Sequence, residues 1–214
     1  MNTYTDDDIE SLLSIYNKIG GVIDFSFFEL SKNIAELSTS NYQKHLKTAI
    51  QTTKNIGVEI NNADLTLKGI KISIEEFLGP FFDTHEMKPL IKGKTMLNNY
   101  FYYDQEEKES NITKIDVIIQ SFIKKHKEIG NGFTYAFLEP PYGLYEISPY
   151  EKGRLFLKTL TILFSNINTI TIYKWNTDAS PYFNAGKEWW GCYFYTVYNP
   201  KKDIYIGITA SQTD

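Results

Sequence analysis

The sequence predicts an α+β fold: a helix-rich N-terminal half followed by a mainly antiparallel C-terminal sheet with helices packed on it. Three observations lead there. Capped stretches with apolar residues at helical spacing concentrate before about residue 130. Period-two, aromatic-rich stretches dominate the remainder. The last two such stretches are separated by Asn199-Pro200-Lys201-Lys202-Asp203, too short for a parallel crossover, so they form an antiparallel pair.

The elements follow in order. Thr5 precedes Asp6-Asp7-Asp8, three acids where a helix N-terminus favours negative charge, and Ile9, Leu12, Leu13 and Tyr16 then share a face. Phe27, Leu30, Ile34 and Leu37 predict a second helix. Ser40-Asn41-Tyr42-Gln43 has the spacing of a capping box, and Leu46, Ala49 and Ile50 continue its helix. Ser73-Ile74-Glu75-Glu76 opens a short helix that Gly79-Pro80 ends. Ile112, Ile115, Ile119, Phe122 and Ile123 mark a helix over about 112–128, which Gly130 closes. Ser148, Pro149 and Glu151 combine a cap, a first-turn proline and a capping-box acid, ahead of the stripe Phe156, Leu157, Leu160, Leu163 and Phe164. Strands are expected at Phe133–Leu138, Thr169–Trp175, Cys192–Tyr198 and Ile204–Thr209, with weaker ones at Val58–Ile60, Leu65–Ile72 and Met96–Tyr103. The helices are expected on one face of the sheet.

With 214 residues the chain is long enough to bury a core without disulfides, and it reads as one domain, 1–214. A subdivision is conceivable at Gly130: residues 1–130 carry the whole net charge of −4, while 131–214 balance seven acids with seven bases and hold more than half the aromatics.

Composition also restricts function. The acidic balance argues against a general nucleic-acid binder. A single cysteine, Cys192, excludes an internal disulfide framework and any multi-thiolate metal site. His45, His85 and His126 are too widely spaced for a zinc motif, and His45 and His126 are expected to face solvent on Lys-rich helices. No phosphate-binding glycine loop and no nucleophile elbow occur, so no cofactor and no metal are expected. The N-terminus has no secretory pattern and no apolar run spans a bilayer, which reads as a cytoplasmic protein without a membrane partner.

The densest feature is Tyr173–Tyr198, in which ten residues are aromatic. Neighbouring strand residues point to opposite faces, so Tyr193-Phe194-Tyr195 and Trp189-Trp190 cannot all enter one core. Either the sheet is covered on both faces, or part of the cluster is a recognition surface built from Trp175, Tyr182, Trp189, Trp190, Tyr193 and Tyr195. Asp178 follows a strand end, Glu188 lies in the same aromatic stretch, and Glu139 is fixed at Pro140-Pro141. Together they are the candidate carboxylates for acid–base chemistry in a hydrolase or transferase. A structural Glu139–Arg154 ion pair is the competing expectation, since Arg154, the only arginine, lies on the next predicted helix within reach.

The leading functional expectation is a non-enzymatic protein that binds another protein. The net acidity points to a basic partner, as in immunity or antitoxin proteins that neutralise nucleases. A small-molecule ligand on the aromatic wall is the remaining alternative.

Overall fold

The computed structural model describes residues 1–30, 39–58, 60, 66–93, 99–107, 109–126 and 130–212, with the backbone alone for 109–113. In chain order the elements are β1 (Asn2–Thr3), α1 (Asp7–Lys18), β2 (Asp24–Glu29), α2 (Asn41–Asn55), β3 (Gly69–Ile72), α3 (Ile74–Leu78), β4 (Phe82–Asp83), β5 (Lys88–Lys92) and β6 (Tyr100–Tyr102). They continue with α4 (Glu109–Lys125), α5 (Gly132–Leu138), α6 (Pro149–Phe164), β7 (Thr171–Trp175), α7 (Asn184–Lys187), β8 (Cys192–Asn199) and β9 (Ile204–Ser211). The fold class is α+β.

A six-stranded antiparallel sheet, ordered β1-β2-β9-β8-β7-β3, forms the centre. Its β8–β9 hairpin closes at Asn199 opposite Ile204, as the turn residues predict. A smaller β4-β5-β6 sheet packs with α4 around Phe81, Leu90, Phe101, Ile115 and Ile119. The main sheet takes β1–β3 from before residue 130 and β7–β9 from after it, so the composition boundary does not divide the sheet.

Helices cover both faces of that sheet, not one. Tyr193, Tyr195, Val197, Ile206 and Ile208 enter the main core with residues of α1, α3, α5 and α6. Phe194 and Trp175 point the other way and pack with Leu46 and Ala49 of α2 and with Phe183. The strand alternation therefore divides one aromatic run between two cores.

The local signals are realised closely at three helix starts. Ser73 and Ser148 form complete capping boxes, and Ser40 Oγ accepts from the Gln43 amide. The first helix is capped one residue later than expected, by Asp6, whose carboxylate accepts from the Asp8 and Ile9 amides.

Two elements have the opposite type. The expected Phe27–Leu37 helix begins as strand β2, with Phe25 and Phe27 against the main core and Ser26 bonded to Asn55 of α2 on the other face. Ile34 and Leu37 lie outside the described residues. Conversely, Phe133–Leu138 is helix α5. All of its residues except Tyr135 are buried, so it shows none of the polar face by which a helix is usually read. The weaker strands shorten. Val58 and Ile60 are in no strand, Glu59, Leu65 and residues 96–98 lie outside the described residues, and among the described ones strand is found at Gly69–Ile72 and Tyr100–Tyr102.

Gly79 and Gly132 both have positive φ, at 80° and 75°. A Cβ on Gly132 would sit 2.5 Å from the Gly79 Cα, so only glycine allows this approach of the two backbones. It seats the end of α3 against the start of α5.

Candidate functional site

At the β3–β7 corner of the sheet the described residues line a groove of about 960 Å³. Its floor and walls include Lys68 just before β3, Ile70 of β3 and Lys174 of β7, Trp189, Trp190 and Cys192 from the segment entering β8, and Glu76, Lys125 and His126 from α3 and the end of α4. Asn176, Thr177 and Asp178 contribute the loop past β7.

Two large apolar side chains stand out of the surface beside this groove: Trp189 is 52% exposed and Ile70 60% exposed. Gly191, at φ 117°, turns the chain into β8, leaving Trp189 outside and Trp190 inside. The Trp190 indole N–H donates to the Glu139 carbonyl oxygen at 2.6 Å, which anchors the wall of the groove to the end of α5.

Four lysines and His126 line the groove against two carboxylates, Glu76 and Asp178, an inversion of the net charge of the chain. Lys187 is paired with Asp178 and Lys125 with Glu75. His126, with its side chain only 12% exposed, lies between Glu75 and Glu76 and packs at a tilt against the Phe122 ring. Burial works to raise the Glu76 carboxyl, but its capping bonds to Ser73 and the neighbouring His126 hold it below its ordinary value. The Cys192 thiol donates to Thr177 Oγ1 at 3.2 Å.

Of the six aromatics expected to form a recognition surface, Trp175, Trp190, Tyr193 and Tyr195 are buried. Trp175 donates its indole N–H to Thr196 Oγ1 and Tyr193 its hydroxyl to the Trp190 carbonyl. Tyr182 is half-buried against Asp24, and Trp189 alone of the six is exposed. The cluster therefore belongs mostly to the two cores, and its outward member is Trp189.

The three candidate carboxylates are not gathered. Asp178 lines the groove, Glu139 lines a separate cavity of about 590 Å³, and Glu188 is exposed and lines neither. The expected Glu139–Arg154 pair does not form. Arg154 is exposed on α6 with its guanidinium 5.9 Å from the Tyr150 ring, and the cations nearest in effect to Glu139 are Lys152 and Lys92.

His45 departs most from expectation. It is fully buried on α2, with Nδ1 2.8 Å from Thr196 Oγ1. Its Lys-rich neighbours misdirect the reading, because Leu46, Thr48, Ala49 and Thr52 place the buried side of α2 across it. His126, also expected to face solvent, has a side chain only 12% exposed, because it packs on Phe122 between Glu75 and Glu76. Lys68 and Ile70 carry no chemical motif in the sequence, and only the alternation of β3 marks Ile70.

Among the described residues no group of three His, Cys, Asp or Glu is placed to hold a metal ion, and no helix is long and apolar enough to cross a membrane. No family model, no curated protein and no solved structure matches the chain.

Proposed function

We propose that this chain is a binding protein that docks an acidic segment of a partner protein in the groove, with Trp189 as the anchor. The observation that carries the reading is the exposed Trp189, next to exposed Ile70, on a groove lined by Lys68, Lys125, Lys174 and Lys187. A tryptophan brings large contact area at small entropic cost and is the residue type most enriched among interface hot spots. Lysines at the rim select the sign of the partner and speed its encounter. Strand β3 pairs only with β7 among the described residues, and pairing of an extended partner segment along its other edge fits the reading.

The groove thus favours an acidic partner, where net charge alone favours a basic one. The immunity-like version rests on an acidic docking face and gains nothing from these lysines. The test is capture from the native lysate followed by cross-linking and mass spectrometry. A partner segment rich in Asp and Glu, cross-linked to Lys68 or Lys187 and lost in Trp189→Ala, supports the reading. A partner retained by Trp189→Ala, a cross-linked segment that is basic, or no partner above background refutes it.

A further inference from the structure

The second cavity carries an inference independent of the groove. It is lined by Ile91, Leu144 and Ile147 and by four charged side chains: Glu139, Glu146, Lys92 and Lys152. Glu139 leaves the end of α5, Lys92 ends β5, and Lys152 stands in the first turns of α6. Glu139 and Lys152 are half-buried, yet neither makes an ion pair within 4 Å with any described residue. The Glu139 carboxylate accepts one long bond, 3.4 Å from the Lys92 amide. Burial pushes its carboxyl above the ordinary value, while the charge of Lys152, the Lys92 amide and the charge of Lys92 pull in the other direction.

Opposite charges that are partly removed from water ordinarily close into a pair, because each half-desolvated charge is costly alone. Here both line a cavity of a size that suits a small ligand and remain without an ion pair. Pro140 and Pro141 stiffen the exit from Glu139, and Glu146 holds a left-handed backbone, φ 56°, in the same loop.

We infer that this cavity binds a small zwitterion, with its ammonium on Glu139 and its carboxylate on Lys152. Such a ligand fills the gap with a charge-assisted hydrogen bond at each end. Ile91, Leu144 and Ile147 meet its carbon chain. An amine or a carboxylate alone satisfies one end and leaves the other unpaired.

The probes are glycine, β-alanine, 4-aminobutanoate and 6-aminohexanoate, which carry the same two charges at increasing separation. Butylamine and butyrate serve as single-charge controls. Calorimetric titration is expected to single out one member that binds at least about tenfold tighter than either control. Glu139→Gln and Lys152→Met should each weaken that member about tenfold or more, and Trp189→Ala should leave it unchanged. Saturation-transfer NMR on the unsubstituted protein reads the same preference if a variant fails to fold. Binding by no member at millimolar concentration, equal binding by a control, or full binding in folded Glu139→Gln overturns the inference. A groove without a partner does not affect it.

Discussion

Between pH 7.5 and 5.0, acid should weaken this fold chiefly through one side chain, His45. It is wholly buried between the rings of Tyr173 and Tyr205, with centroids 4.5 and 5.2 Å away. Its Nδ1 meets Thr196 Oγ1, which also accepts from the Trp175 indole, and its Nε2 has no hydrogen-bond partner. Burial, with repulsion from Lys71 adding to it and Thr196 opposing, lowers its pKa from 6.5 to about 3. The unfolded chain takes up a proton below pH 6.5 that the folded chain refuses, so stability falls as pH falls through that range. At 1.36 kcal/mol per unit, lowering the pH from 7.5 to 5.0 should remove about 2 kcal/mol. The assay is urea denaturation across that range for the natural chain and for His45→Gln. Subtracting the two curves cancels the carboxyls that burial raises, Asp24 and Glu139. Parallel curves would refute the reasoning, as would an NMR titration of His45 near 6.5 in the folded protein.

Three further outcomes follow from particular contacts. Ser148→Ala removes one half of the capping box of α6 and should cost about 1 kcal/mol in thermal or chemical denaturation. Gly132→Ala places a Cβ against the Gly79 backbone at a positive φ, and should cost well over about 1 kcal/mol or prevent folding, read by circular dichroism. Trp190→Phe leaves the Glu139 carbonyl without its donor and should cost about 1–3 kcal/mol, whereas Trp189→Ala should stay within about 0.5 kcal/mol because that side chain stands in solvent.

What the sequence disclosed depended on the range of each interaction. The starts of α3 and α6 were legible because a cap is made by residues three apart, Ser73 with Glu76 and Ser148 with Glu151. The β8–β9 hairpin was legible because its loop sets its geometry. Strand β2 and helix α5 were misread because their environment is set by distant partners. Phe27 faces a core that includes Phe137 and Ile208, and α5 is enclosed on nearly every side. Apolar spacing over so short a window fits either periodicity. The candidate site divides the same way. That Trp189 and Trp190 must face differently was readable from adjacency, but which one faces out depends on the turn at Gly191 and on a carbonyl 51 residues away.

That carbonyl gives the two candidate sites a common support. Glu139 holds the Trp190 indole through its main chain, in the wall of the groove, and turns its side chain into the small cavity. The two functions of one residue separate by substitution: Glu139→Gln alters the carboxylate and keeps the carbonyl, so it should disturb the cavity alone. Trp190→Phe releases the carbonyl and shifts both the groove wall and the end of α5. If the two depressions work independently, Trp189→Ala and Glu139→Gln will each silence one and spare the other, and Trp190→Phe will weaken both. Loss of groove binding in Glu139→Gln would instead mean that the charge of the cavity is felt at the groove through this single hydrogen-bonded support.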